Sequence, residues 1–184
     1  ITIIPRGTAY LGATMQLPEK DRYTQGRVKL TGMLAALMGG RVAEELMCTD
    51  ITTGARSDLR EATRLARLMV CEWGMSSEIG PQTFGSAEEV LFLGREVTRS
   101  QDFSEATAQR IDAETNRILR EAHAEARRIL ETHRDVLEKL TAALMERETL
   151  DGADVDDLLA VGRIRTEEER QAAETAAAAP AAPA

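Results

Sequence analysis

The stretch Ile51 to Met75, ITTGARSDLREATRLARLMVCEWGM, decides how the rest of the chain is read. Leu59, Ala62, Leu65, Ala66, Met69 and Trp73 recur at three- and four-residue spacing, which predicts an amphipathic helix ending at Gly74. Ser57 is the expected N-cap, and Asp58 falls in the first turn, where a carboxylate meets the positive end of the helix macrodipole. Two readings of Asp58 stay open on these residues alone. It is an ordinary helix-start residue, or it is a hard oxygen donor held rigidly for a metal whose other ligands lie elsewhere.

Working outward, the same periodicity predicts a helix upstream from about Tyr23 to Met47, on Leu30, Leu34, Leu37, Met38, Val42 and Leu46. Gly39-Gly40 interrupts it, predicting a kink or the close approach of another backbone. ITIIPRG and LGATMQL, rich in β-branched or alternating residues, read as two short strands before Pro18. Downstream, residues 74–99 are glycine-rich and aperiodic and read as an ordered loop region. A long helix follows from about Ser104 to His133, then one carrying Val136, Leu137, Leu140 and Leu144, then a short one over DGADVDDLLA. From residue 163 the composition becomes rich in Ala, Glu and Pro with little to bury, which predicts a disordered tail over 163–184 after a domain of 1–162. The expected class is mainly α, with a small N-terminal β element and a long C-terminal helix.

Bulk composition narrows the partners. With 23 Lys and Arg against 31 Asp and Glu among 184 residues, the net charge is −8, and no basic stripe is present, so nucleic acid is not expected. A chain of this length suits one compact unit. Cys48 and Cys71 stand far apart with no CxxC pairing, which argues against a disulfide framework or a cysteine zinc site. No apolar run approaches the ~18 residues needed to span a bilayer, so the chain is expected to be soluble as written. Its start in a β-branched run, without Met, suggests a piece of something longer.

The chemistry-bearing residues are few. His123 and His133 are ten positions apart on the predicted long helix, too far along the axis to chelate one ion together. His133 continues the apolar row of Ala122, Ala126 and Ile129 and reads as a structural histidine. The sequence contains no GxSxG, P-loop, dinucleotide-binding glycine pattern or HExxH.

Five blocks taken together, ITIIPRG, MQLPEKDRY, GGRVAEEL, ITTGARSDLREATRLARLMVCEWGMSSEIGP and ETLDG, resemble the protease domain of the FtsH family, membrane-anchored AAA+ zinc metalloproteases. The resemblance runs from Ile1 to about Ala160. It implies a helix just upstream of the IIPRG strand carrying His-Glu-x-x-His, with two zinc-binding histidines and a general-base glutamate, and an aspartate in the TTGA-x-x-D-L block as a further ligand. That aspartate matches Asp58. The histidines and glutamate match nothing here, so this chain by itself is expected to carry no catalytic residue, an incomplete zinc site and no activity.

The resemblance also implies that Ala13, Thr14, Met15, Gln16 and Leu17 form an edge strand on which an unfolded substrate is laid. A merely structural edge is the alternative. Glu44 would lie near the metal and orient a ligand, or else be a surface or packing carboxylate. For the parent protein the family implies ATP and Mg in an upstream AAA+ module and a hexameric ring. It further implies unfolded and membrane protein substrates and a place on the cytoplasmic face of the bacterial inner membrane. The competing reading is a non-catalytic helical module for ring assembly or protein interaction.

Overall fold

The structure, a computed structural model, describes residues 1–5, 12–14, 24–84 and 103–178. The chain divides into two compact units, Arg22–Thr132 and the pairing of Ile1–Asp21 with His133–Ala184, where sequence length had suggested one. The mainly helical class is borne out.

In the first of these units, three helices pack on one another: α1 (Arg27–Met47), α2 (Arg56–Cys71) and α3 (Glu105–Thr132). Each contributes the apolar stripe that its periodicity predicts. Leu30, Leu34, Ala35, Met38 and Val42 are buried on α1, and Ala62, Leu65, Ala66, Met69 and Val70 on α2. From α3 come Ile111, Ile118, Ala122 and Ala126. Ala62, Ala66 and Ala122 are fully enclosed, and their small side chains let the helices approach closely. Burial on α2 runs only from Ala62 to Val70. Leu59, expected on the same face, is 37% exposed, and Trp73, which lies beyond the helix end at Cys71, is 45% exposed.

Helix α1 passes through Gly39-Gly40 without interruption, and a Cβ at either position would meet nothing within 4 Å. The expected interruption and the close approach of another backbone are therefore absent among the described residues. Each glycine costs about 1 kcal/mol of helix propensity, which the burial of Met38 and Val42 on either side offsets.

After α2 the chain doubles back. Gly74 adopts φ +56°, and a Cβ there would stand 2.9 Å from Pro81 Cα, so the turn excludes any side chain. The amides of Met75 and Phe84 donate to Met69 O and Cys71 O, each at 2.8 Å. Buried Ser76 then ties this loop to α3 by donating to Glu114 at 2.7 Å, and Arg117 grips the same carboxylate at 2.7 and 2.8 Å. Residues 85–99 of the expected loop region lie outside the described residues.

The other unit contains α4 (Arg134–Arg147), α5 (Gly152–Val161) and α6 (Glu167–Ala178). Helix α4 begins at Arg134 after His133, which is its N-cap and is exposed, so it does not extend the apolar row as expected. Asp151 and Asp154 form a reciprocal capping box at the start of α5. The two expected strands reduce, among the described residues, to isolated antiparallel bridges of Thr2 with Ala13 and with Thr149. Thr2 and Ala13 exchange both backbone hydrogen bonds at 2.9 Å. On the other side Ile3 N donates to Glu148 O at 3.0 Å and Leu150 N to Ile1 O at 2.9 Å. Pro5, with no N–H to give, limits further pairing.

The expected disorder from residue 163 gives way to helix α6 through Ala178; residues 179–184 lie outside the described set. Two local devices explain the difference. Thr166 N donates to Glu169 Oε2 at 3.0 Å while Glu169 N donates back to Thr166 Oγ1 at 3.3 Å, a reciprocal cap on the first turn. Arg165 and Arg170 then reach the buried carboxylate of Asp157, through Arg165 N at 2.9 Å, Arg165 Nε at 2.5 Å and Arg170 Nε at 2.8 Å.

Candidate metal centre

Asp58 is the only acidic residue in the first turn of α2 and is half-buried. The N-cap is Ala55 rather than Ser57, which lies inside the helix, and no side chain caps the exposed amides. The first-turn N–H groups and the macrodipole therefore leave this end positive, and the Asp58 charge stands beside it. Ala55 is itself buried, fixing where the helix starts.

What precedes α2 is held by Glu44, near the C-terminal end of α1. Its carboxylate accepts from Thr52 Oγ1 at 2.5 Å and from Thr52 N at 3.3 Å, and Thr52 Oγ1 in turn accepts from Gly54 N at 3.1 Å. The hydrogen bonds from the Thr52 side chain and then its backbone hold the Glu44 carboxyl below the usual carboxylate range. Sequence reasoning named Glu44 but missed its partner. The signal for Thr52 was the Thr-Thr-Gly run ahead of a helix, a composition that favours side-chain-to-backbone turns, but the bond across the helix end to Glu44 is tertiary.

The neighbouring Glu45 faces another way and joins α1 to α3. It accepts from Arg127 Nη2 at 2.5 Å and Arg41 Nε at 3.1 Å, and it lies 3.2 Å from His123 Nε2. Burial acts to raise the Glu45 carboxyl, and the hydrogen bonds and charge of His123, with those of Arg41 and Arg127, more than offset it, leaving it below the usual range. A hollow of about 300 Å³ beside these groups is lined by Glu44, Glu45, Asp50 and Arg127 among others, and Asp58 is not in its lining. His123 is thus engaged by Glu45, which also holds Arg41 and Arg127.

Of the expected substrate edge, Ala13 and Thr14 are exposed, and Ala13 pairs with Thr2; Met15, Gln16 and Leu17 lie outside the described residues. These positions and Asp58 belong to different units. Among the described residues no three His, Cys, Asp or Glu side chains are grouped to hold a metal ion. Catalytic zinc takes about three protein donors and a water.

Residues 1–158 match the peptidase family M41. The chain belongs to that family. It is 51% identical over 160 residues to the ATP-dependent zinc metalloprotease FtsH 4 of Sorangium cellulosum, covering 86% of this chain and 24% of that protein. To the ATP-dependent zinc metalloprotease FtsH of Acidobacterium capsulatum it is 50% identical over 155 residues, 84% of this chain and 24% of the relative. The protein of the same name from Thermotoga maritima is 43% identical over 159 residues, 86% and 26%. This M41 chain therefore spans about a quarter of the length of the curated relatives it matches, and the family resemblance drawn from its five sequence blocks is borne out. No helix among its described residues is long and apolar enough to cross a membrane.

Proposed function

We propose that this chain is the C-terminal part of an ATP-dependent zinc metalloendopeptidase, and that Asp58 supplies one metal ligand in the complete protein. The observation that carries the reading is the Asp58 carboxylate, fixed in the first turn of α2 within a chain about half identical to proteins named ATP-dependent zinc metalloproteases. A carboxylate on a helix start is a hard oxygen donor of the kind zinc accepts, and its role is charge and geometry rather than proton transfer. The remaining donors and the general base belong, in this reading, to residues outside the chain.

Ala13 to Leu17 are assigned to an edge on which an extended polypeptide pairs through its backbone, which suits substrates that are unfolded or drawn from a membrane and share no sequence. ATP and Mg act in a separate upstream module, the assembly is a homohexamer, and its place is the cytoplasmic face of the inner membrane.

The test is proteolysis of an unfolded protein by the full-length enzyme. The expected result is ATP-dependent cleavage that a chelator stops and that Asp58→Asn reduces to background, with ATP hydrolysis largely kept. Wild-type cleavage by Asp58→Asn would remove Asp58 from the metal site.

A further inference from the structure

We infer that Thr52 is a positioning residue for the Asp58 carboxylate: its hydroxyl, bridging the Glu44 carboxylate and the Gly54 amide, fixes the turn from which α2 starts. The inference rests on the reading of Asp58 as a metal ligand.

The argument begins with what holds each end of the bridge. Glu44 sits on α1 two residues after Val42, which is completely buried in the core, so the accepting carboxylate hangs from a fixed helix. From Thr52 onward the backbone has little slack. Gly54 N donates to Thr52 Oγ1 at 3.1 Å, Arg56 N to Thr53 O at 3.2 Å and Leu59 N to Ala55 O at 3.0 Å, while Ala55 is buried. Asp58 lies within this hydrogen-bonded run. Because no side chain caps α2 directly, the Thr52 bridge is a side-chain restraint that links the segment just ahead of this helix end to α1.

Gly54 belongs to the same device. A Cβ there would stand 3.3 Å from Thr52 Oγ1 and 3.5 Å from Glu44 Oε1, so the glycine leaves the room in which the bridge forms. A donor that must meet a metal with little error needs such support, since groups that orient metal ligands typically cost about 10- to 100-fold in metal affinity or activity when removed.

The experiment compares zinc release to a competing chelator from the zinc-loaded full-length protein and its Thr52→Val, Thr52→Ser and Asp58→Asn variants, with melting temperatures measured alongside. Valine keeps the shape of threonine and loses the hydroxyl; serine keeps the hydroxyl. The expected result is release roughly 10-fold faster from Thr52→Val at a nearly unchanged melting temperature, near-wild-type release from Thr52→Ser, and no retained zinc in Asp58→Asn. Wild-type release from Thr52→Val beside a zinc-free Asp58→Asn overturns the positioning role and leaves the Asp58 assignment standing. Equal defects in the valine and serine variants, or a zinc defect matched by a large fall in melting temperature, overturn it as well. Full zinc in Asp58→Asn overturns the underlying reading.

Discussion

The two units of this chain are stabilised by different chemistry. Helices α1 to α3 close on an apolar core in which Leu30, Leu34, Val42, Met69 and Val70 have almost no solvent exposure. In the unit of α4 to α6, Leu150 and Leu158 are the buried apolar side chains among the described residues, α4 buries none, and the buried centre is the carboxylate of Asp157 with two arginines on it. Apolar packing does not depend on the protonation of any group, whereas an ionic centre depends on that of one oxygen pair. The candidate metal donor stands on the apolar unit, which suits a group that has to be held still.

The largest effect that would sharpen this contrast is a cavity in the apolar unit. Leu34→Ala, at a side chain with no exposure, is expected to lower stability by about 2 to 5 kcal/mol in denaturant unfolding. A cost below about 1 kcal/mol would mean that the three-helix core is loosely packed.

Next comes Glu114, the buried carboxylate among the described residues of that same unit. Glu114→Ala removes the acceptor of Ser76 and Arg117 and frees the loop after Gly74, at an expected cost of about 1 to 3 kcal/mol. Amide exchange over 75–84 should rise ahead of the rest of the unit.

Acid should separate the two regions. In the folded chain burial acts to raise the Asp157 carboxyl, but hydrogen bonds from Arg165 N and from the Arg170 and Arg165 guanidiniums hold it at about 2, below its ordinary 3.8. Glu169 is held at about 2, below 4.5, by Arg163 and by the Thr166 amide. Both values are depressed, so their contribution is fully present above the ordinary carboxylate range and is lost as the pH falls from about 4.5 toward 2. Helix α6 is expected to open in that window, seen as a rise in its amide exchange. Asp157→Asn should open it already at neutral pH, while the melting of the three-helix unit is unmoved. Equal loss in both units would break the comparison.

The smallest change is a gain. Gly39→Ala and Gly40→Ala should each stabilise the three-helix unit by about 0.5 to 1 kcal/mol, because the added methyl meets nothing within 4 Å.

How much of this was legible follows the same division. The apolar stripes of α1, α2 and α3 were readable because burial there repeats with the helical period, and so was the first-turn position of Asp58. The ends of elements were harder. Ser57 looks like a cap by residue type, yet the cap is Ala55 and the helix begins two positions earlier than a Ser57 cap would set, at Arg56, after buried Ala55. Helix α6 was hidden because its composition suggests disorder, although Thr166-Glu-Glu-Glu169 already spells a capping box and only the reach of Arg165 and Arg170 back to Asp157 needed the fold. Gly39-Gly40 was overread, since a glycine pair carries a propensity cost but does not report whether a neighbour fills the space. At the candidate site, Asp58 and Glu44 were singled out through family resemblance, while the bond from Thr52 needed coordinates because its acceptor lies on another helix.

The central claim is that Asp58 is one donor of a zinc site completed by residues beyond this chain. It is tested most directly by the zinc content of this chain, of a longer chain extended upstream, and of that longer chain with Asp58→Asn, each purified metal-free, resupplied with zinc and assayed by elemental analysis. Stoichiometric zinc in the longer wild-type chain alone is the predicted result. Stoichiometric zinc in the Asp58→Asn chain, or none in any of the three, would contradict it and return Asp58 to the role of a helix-start residue.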